Sequence, residues 1–228
     1  MTYNTKFLLS LIVIFLVVFV LCAINPIDRS AWLLENILMF LLIIILVASY
    51  RKFRLSRISY FCIFLFLCFH EIGSHYTYSQ VPYNNWTESI FGTPLNDWFG
   101  WERNHYDRFL HLAYGLLFAY PIREVFIRIV KVKGFWGYFL PLDLTLSTSA
   151  IYELIEWGAA MVFGGDLGAA YLGTQGDVWD AHKDMALAGL GALITMCVIA
   201  FINARWSRDF AREWNESLTP KSINPESL

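Results

Sequence analysis

The sequence predicts an all-α protein: a polytopic membrane helix bundle of about six transmembrane helices, with both termini in the cytoplasm. Its composition is the first reason. Of the 228 residues, 57% are hydrophobic and only 16% are charged, whereas a soluble domain carries about 25% charged residues. The second reason is that the hydrophobic residues fall in blocks of about 18 to 25, enough for a helix to cross about 30 Å of hydrocarbon. The third is the uneven distribution of Lys and Arg between the blocks.

Six hydrophobic blocks follow one another along the chain. They cover residues 7–24, about 33–49, about 58–72, about 109 to beyond 121, about 138–163 and about 185–204. Each block is predicted to be a helix, because a helix satisfies its backbone hydrogen bonds internally, as lipid requires. The first block is longer than the apolar core of a cleaved signal peptide and no small-residue cleavage site follows it, so we expect it to remain as a helix. The fourth ends beyond Pro121, and the charged residues Arg123 and Glu124 follow soon after.

Basic residues collect in the segments on one side of the predicted bundle. That side holds 13 of the 17 Lys and Arg residues, and the other side holds Arg29, Arg103, Arg108 and Lys183. Because cytoplasmic loops are enriched in basic residues, we expect both termini in the cytoplasm. The loops after the first, third and fifth helices are then expected outside.

Two parts follow from this pattern: a transmembrane helical domain over residues 1–206 and a polar cytoplasmic tail over residues 207–228. The last residues of the tail are polar and are expected to be mobile. The net charge of −2 argues against a nucleic-acid partner, so the lipid bilayer is the predicted partner. The four cysteines lie within hydrophobic blocks and form no CxxC pattern, which favours packing roles over a disulfide framework.

Ionisable residues gather at the predicted outer ends of four helices that are distant in sequence. All five histidines of the chain lie there: His70, His75, His105, His111 and His182. The same depth holds a set of acidic residues: Glu71, Asp107, Glu153, Glu156, Asp177, Asp180 and Asp184. Since four separate segments contribute, the sequence predicts that these side chains form one polar site.

The spacing of these residues favours a metal site. Several pairs share a helix face through a spacing of three or four residues: Glu71 with His75, Asp107 with His111, Glu153 with Glu156, and Asp180 with Asp184. Convergent carboxylates with one or two imidazoles suit a divalent Zn, Mn or Fe ion, and helix bundles build such sites from facing helices. The predicted metal ligands are Asp107, His111, Glu153, Glu156 and Asp184. The predicted catalytic bases or further ligands are Asp180 and His75.

Structural explanations exist for the residues at the rim of this site. Asp177 is expected to be the N-cap of the last helix, with Asp180 in its first turn. Arg103 is expected to pair with Glu102, Asp97 or phospholipid headgroups. These interpretations assign no chemistry to the residues involved.

The two glutamates of the fifth block are harder to explain structurally. At about 1.5 Å rise per residue, Glu153 lies about 22 Å along its helix from Tyr138. Acidic residues inside a membrane usually face a cavity and mark function. An ion pair of these glutamates with Arg108 or Lys183 is the structural alternative.

Four stretches of the chain resemble a known family. HYTYSQVP, RNHYDRFLH, SAIYELIEW and LGTQGDVWDAHKDM are similar to the YjdF-type bacterial inner-membrane proteins, a family defined as a domain of unknown function. The resemblance extends from the second predicted helix to the sixth. It implies a multi-pass protein of the bacterial cytoplasmic membrane and supplies no activity.

A second, weaker similarity is to VanZ-like membrane proteins. That group shows an Asp-Lys/Arg-x-x-His motif, a Glu-x-x-Gln motif and a late Asp before a small-residue helix. DRFLH ending at His111, ELIE ending at Glu156 and DMALAG starting at Asp184 follow the same order, with Glu156 in place of the Gln. This similarity implies a role in the cell envelope near lipid-linked or cell-wall substrates.

Two functions from different classes agree with these observations. The first is a metal-dependent hydrolase that acts on an envelope or lipid-linked substrate, with the metal acidifying a bound water. The second is a non-catalytic membrane protein that uses the same residues as a proton-coupled binding site or as a polar network that locks the bundle.

Overall fold

A computed structural model describes residues 3–165, 168, 172 and 174–218. The regular elements in these ranges are all helical, which confirms the predicted all-α class. In chain order they are α1 (Tyr3–Ala23), α2 (Arg29–Ser49), α3 (Arg57–His75), α4 (Tyr83–Phe91), α5 (Leu95–Phe99), α6 (Tyr106–Val125), a π-helical turn (Phe126–Val130), α7 (Trp136–Phe163), α8 (Asp180–Trp206) and α9 (Phe210–Leu218).

Five helices are long and apolar enough to cross a membrane by length and composition: Thr5–Ala23, Arg29–Ser49, Arg57–His75, Tyr106–Val130 and Asp180–Trp206. They correspond to five of the six predicted blocks, and the membrane helix bundle is therefore confirmed. The remaining block is α7, which has 28 residues and packs alongside α6 and α8. It carries three acidic residues, Asp143, Glu153 and Glu156.

Small residues bring α6 and α8 together at the centre of the bundle. A Cβ atom added to Gly115 of α6 would collide with the carbonyl oxygen of Ala188 in α8. A Cβ atom added to Gly191 of α8 would in turn collide with the carbonyl oxygen of Leu112. Membrane helices associate through such close backbone contact because lipid provides no hydrophobic driving force between them. The α6–α8 pair therefore fixes the framework onto which α3 and α7 pack.

The end of α6 agrees with the predicted end of the fourth block beyond Pro121. The helix continues to Val125 and into the π-helical turn, so Arg123 and Glu124 lie within it. Arg123 is only 1% exposed and Glu124 is fully buried. Arg123 donates two hydrogen bonds to Asp209, at 2.9 and 2.7 Å. Glu124 accepts hydrogen bonds from the backbone N–H of Ser56, the hydroxyl of Ser59 and the guanidinium of Arg128. Both buried charges therefore have partners.

Part of the predicted polar tail is an ordered helix. Asp209 precedes α9, and Ala211 of α9 is fully buried. The indole N–H of Trp214 donates to the carbonyl oxygen of Arg54, between α2 and α3. The first part of the segment 207–228 therefore packs against the end of the bundle, while residues 219–228 lie outside the described residues.

The long loop between α3 and α6 folds into a cap of two short helices. Gly92 follows the last residue of α4 and Gly100 follows the last residue of α5. Both glycines are C-caps in the left-handed backbone conformation. Tyr83 of α4 joins the cap to the start of α6: its hydroxyl donates to Asn96 at 2.8 Å and accepts from the backbone N–H of His105 at 2.8 Å. The cap thus covers the end of the bundle at which α6 begins.

Candidate functional site

The first two turns of α6 supply the centre of the site. Asp107 lies in the first turn and His111 one turn later, so both side chains share a face. The Nε2 atom of His111 is 3.7 Å from Oδ1 of Asp107. Asp184 of α8 completes the group: one donor atom each from Asp107, His111 and Asp184 lie within 4.8 Å of one another.

Asp184 carries a buried polar atom that the protein does not satisfy. The residue is only 2% exposed, and its Oδ1 atom has no hydrogen-bond partner among the described residues. A buried carboxylate oxygen without a donor is costly. Asp107, His111 and Asp184 therefore offer oxygen and nitrogen ligand atoms, and the free lone pairs of Asp184 Oδ1 can bind a cation.

Glu153 of α7 extends this group, and we call Asp107, His111, Glu153 and Asp184 together the His111 cluster. The Oε1 atom of Glu153 lies 3.5 Å from Nε2 of His111 and also has no hydrogen-bond partner among the described residues. Glu156 is buried one turn further along α7 and interacts electrostatically with Asp107, Glu35 and Glu153. The sequence-predicted ligands thus come from three helices to one region.

Asp180 is engaged by two arginines rather than open to the cluster. It accepts hydrogen bonds from Arg103 at 2.7 and 3.3 Å and from Arg108 at 3.2 Å. Arg103 was expected to pair with Glu102, Asp97 or lipid headgroups; its ion pairs with Asp180 and Asp177 replace that interpretation. Because both carboxylate oxygens of Asp180 accept hydrogen bonds from guanidinium groups, its geometry suits positioning more than proton abstraction.

Asp177 stands beside this pair in a strongly polar rim. Lys183 and Arg108 form ion pairs with it, and its Oδ1 atom accepts from the backbone N–H of Trp179 at 3.0 Å. The hydrogen bond from Lys183, followed by that from Trp179, holds the pKa of Asp177 well below its usual range. The N-cap of α8 is Trp179, so the prediction that Asp177 is the N-cap is wrong. Asp177 lies two residues before Trp179 and stabilises the start of the helix by accepting the hydrogen bond from its backbone N–H.

His75 is the last residue of α3, and its side chain contacts α1. Its Nδ1 atom is 2.8 Å from the carbonyl oxygen of Cys22 in α1, and its ring packs edge-on against Tyr76. None of these contacts, within the described part of the chain, joins it to the His111 cluster. A catalytic role for His75 has no geometric support here.

The remaining histidines have separate environments. His70 is buried, and its Nδ1 atom is 2.7 Å from the hydroxyl of Tyr78, as expected for a packed histidine. His105 precedes α6 and contacts Arg108; partial burial, followed by the charge of Arg108, lowers its pKa. His182 is exposed and packs edge-on against Trp179.

Glu35 of α2 is a candidate that the sequence interpretation did not assign. It is 6% exposed, and its Oε2 atom accepts a hydrogen bond from the hydroxyl of Tyr152 at 3.2 Å. Glu35 and the adjacent Asn36 are polar residues within an otherwise apolar membrane-length helix, and this pattern is the signal by which they are recognisable.

A cavity of about 320 Å³ adjoins the site between α2, α3, α6 and α7. Glu35, Asp107 and His111 line it at the end where α6 begins. Further along, the lining is mainly aliphatic and aromatic, down to Leu42 and Phe118. The site therefore combines a cluster of metal-type donors with an apolar chamber.

Comparison with known proteins places this arrangement in a family. The family model described as "Predicted membrane protein (DUF2238)" matches residues 7–205. The chain belongs to this family. It is 38% identical to the inner membrane protein YjdF of Escherichia coli (strain K12) over 185 residues, which cover 80% of this chain and 84% of that protein. No solved structure matches the chain.

The family assignment confirms the resemblance predicted from the four sequence stretches. Together with five helices suited to spanning a membrane, it identifies a multi-pass inner-membrane protein. The family description and the relative's name give no reaction, substrate or metal. The similarity to VanZ-like proteins stays a prediction, as does the cytoplasmic location of both termini.

Proposed function

We propose that this protein is a metal-dependent membrane hydrolase whose divalent cation is held by Asp107, His111 and Asp184. The observation that carries the proposal is the convergence of their donor atoms within 4.8 Å around a buried carboxylate oxygen that lacks a partner. These residues come from two helices that Gly115 and Gly191 hold in backbone contact, so the ligand positions rest on rigid elements.

The donor set fits a borderline divalent ion. Two carboxylates and one imidazole are typical of Zn, Mn and Fe sites, and the Oε1 atom of Glu153 lies 3.5 Å from the imidazole of His111. A cation also offsets the mutual repulsion of carboxylates gathered within a membrane helix bundle. No other cationic side chain among the described residues forms an ion pair with Asp107 or Glu153 beyond His111.

The proposed reaction is hydrolysis of an ester or phosphoester bond in an envelope or lipid-linked substrate. A bound divalent cation supplies Lewis-acid polarisation of the substrate oxygen and acidifies a bound water. Glu153 removes a proton from the attacking water, whose oxygen bonds to the acyl carbon or phosphorus. The bond to the leaving alcohol breaks, and that alcohol takes up the proton. Arg103 and Arg108 position this end of α8 by holding Asp180.

Elemental analysis tests the metal. Protein purified in detergent without added metal is expected to contain about one Zn, Mn or Fe ion per chain. Asp184→Asn is expected to lose it, because one donor of three is weakened, whereas Asp143→Asn, on an exposed face of α7, is expected to retain it. Equal metal content in the two variants, or no bound metal in the wild type, overturns the metal site.

A second measurement tests the reaction. Wild-type protein in vesicles of total bacterial polar lipids is expected to release free fatty acid or a water-soluble headgroup, and a chelator is expected to stop the release. A protein that binds metal and releases neither product is not a hydrolase of these lipids. In that case a proton-coupled or purely structural role for the same residues is favoured.

A further inference from the structure

The apolar cavity beside the His111 cluster has a graded lining. Its polar residues lie near the start of α6 and around Thr148 and Ser149 of α7. Tyr114 and Thr148 share a hydrogen bond of 2.6 Å across the cavity. Beyond them the wall is apolar, formed by Met39, Leu42, Phe66, Leu67 and Phe118. A ligand that fills this space must be polar at one end and hydrocarbon at the other.

The length of the cavity matches one leaflet of a bilayer. Along α6 its lining runs from Asp107 to Phe118, which is about 16 Å at about 1.5 Å per residue. The hydrocarbon core of a bilayer is about 30 Å thick. The cavity therefore extends from the level of the cluster to about the middle of the membrane.

The cavity is open toward the lipid on the α7 side. Ile151 and Ile155 line it, yet they are 54% and 41% exposed. Across from them, α2 contributes Leu38 and Leu42 to the lining, while the neighbouring Leu41 is 50% exposed on the outer face of the helix. Tyr152 of α7 donates a hydrogen bond to Glu35 of α2, and the exposed lining residues of α7 indicate that the cavity opens to the surrounding hydrocarbon beside this contact.

The volume of the cavity limits what it can hold. Its volume is about 320 Å³, and its deep lining is apolar. Water is disfavoured in the deep part, because apolar cavities stay dry unless polar partners line them. A single extended hydrocarbon chain is narrow, flexible and apolar, and it reaches the space directly from the leaflet.

We propose that this cavity binds one hydrocarbon chain of a membrane lipid from the leaflet on the cluster side, with the lipid's ester or phosphoester bond at the His111 cluster. The identity of the reacting bond rests on the proposed hydrolase function, and the binding of the chain does not. The chain enters between α2 and α7, and its terminal methyl group reaches the level of Leu42 and Phe118.

Photocrosslinking tests the proposal in the full chain. The probe is a phosphatidylglycerol with a diazirine near the end of one acyl chain, incorporated into vesicles with the protein. Peptide mapping of the wild type is expected to find label on Met39 and Phe118 inside the cavity. Leu42→Trp fills the deep end and is expected to reduce that label at least fivefold. Leu41→Trp adds the same side chain to the exposed face of α2 and is expected to leave it unchanged.

Label on the lipid-facing residues of α1 serves as the internal reference, since it depends only on reconstitution. Label confined to such exposed faces in the wild type overturns the proposal, and so does equal cavity label in the two tryptophan variants. Asp184→Asn separates the two proposals: it is expected to lose metal and lipid cleavage while retaining cavity label. If Leu42→Trp cleaves lipid at the wild-type rate, chain binding in this cavity is wrong even where the hydrolase function holds.

Discussion

The imidazole of His111 and the carboxylate of Glu153 lie 3.5 Å apart, measured from Nε2 to Oε1, although they belong to different helices. The same Nε2 atom lies 3.7 Å from Asp107. One ring nitrogen thus faces two carboxylates inside the bundle. A positive charge shared by the three groups, whether a proton or a metal ion, offsets the repulsion between the acids. We therefore expect the function of the cluster to depend most on His111.

The first prediction compares two histidines. His111→Gln removes the imidazole that bridges α6 and α7, and we expect at least a tenfold loss of metal affinity, in line with the loss of one protein ligand. His182→Gln is the matched control, because His182 is exposed and only packs against Trp179. Titration of chelator-stripped protein with Zn²⁺ measures both. Wild-type affinity in His111→Gln together with weakened affinity in His182→Gln would reverse this ranking.

The second prediction concerns the arginines behind the cluster. Arg103 and Asp180 form a close pair with side chains 15% and 4% exposed, and Arg108 also contacts Asp180. We expect Arg103→Gln to destabilise the protein by about 1–3 kcal/mol. This is less than the cost of leaving a buried charge with no partner, because Arg108 still pairs with Asp180. A double-mutant cycle with Asp180→Asn is expected to show a coupling energy of about 0.5–3 kcal/mol. Additive effects of the two substitutions would show that this pair does not hold the start of α8.

The sequence was sufficient to predict the bundle and the convergence of its acidic residues. Apolar blocks of membrane length identify helices, and the spacing of Asp107 and His111 places them on one face. The pairing of Asp180 with Arg103 was not predictable, because it depends on how the loop before α6 folds over the start of α8. Asp180 and Asp184 look alike in sequence, because both lie near the start of α8. Only tertiary contacts show that Asp180 is paired with Arg103 while Oδ1 of Asp184 has no hydrogen-bond partner among the described residues.

Glu35 and Arg123 show two further limits. Both lie inside or beside apolar blocks, where a charged residue signals an unusual environment. Arg123 is buried against Asp209, which belongs to a segment predicted to be a polar tail. Arg123 and Asp209 are 86 residues apart and Glu35 and Tyr152 are 117 residues apart, so no local pattern indicates these partners.

The third prediction concerns helix packing. Gly115→Ala places a methyl group against the backbone of α8, and we expect destabilisation of about 1–3 kcal/mol or more, as is typical of overpacking. Gly158→Ala is the control, since a Cβ atom at Gly158 of α7 meets no atom within 4 Å. Thermal unfolding in detergent compares the two. Equal melting temperatures for both variants and the wild type would mean that α6 and α8 can separate without cost.

The fourth prediction is a pH dependence at the other end of the bundle. Burial raises the pKa of Asp209, but the hydrogen bonds and charge of Arg123 lower it by more, so the pKa lies below its usual value. A lowered pKa in the folded state means that this carboxylate adds stability above the ordinary value of about 3.9. That contribution is lost as the pH falls through the lowered pKa.

Asp209→Asn is therefore expected to lower the unfolding temperature at pH 7. The difference from wild type should shrink as the pH falls below about 4, because Asp209 is protonated first in the unfolded chain and, at lower pH, in the folded protein. Glu216→Gln, on the exposed face of α9, is the control and is expected to match the wild type at each pH. An Asp209→Asn effect that stays constant from pH 7 to pH 3 would exclude the ionised pair with Arg123 as its cause.

The last prediction is the orientation of the bundle, on which the placement of the His111 cluster in the outer leaflet depends. Because 13 of the 17 basic residues fall on one side of the predicted spans, we expect that side to be cytoplasmic. Reporter fusions after residues 55, 90, 132, 170 and 215 should read inside, outside, inside, outside and inside. The fusions at 132 and 170 decide whether α7 crosses the membrane, since α7 is the one predicted block that is not among the five helices suited to spanning. If those two report the same side, α7 does not span, and Glu153 and Glu156 lie at the surface rather than within the bilayer. A fully reversed pattern would instead place the cluster and its cavity in the cytoplasmic leaflet, and the lipid chain would then enter from that side.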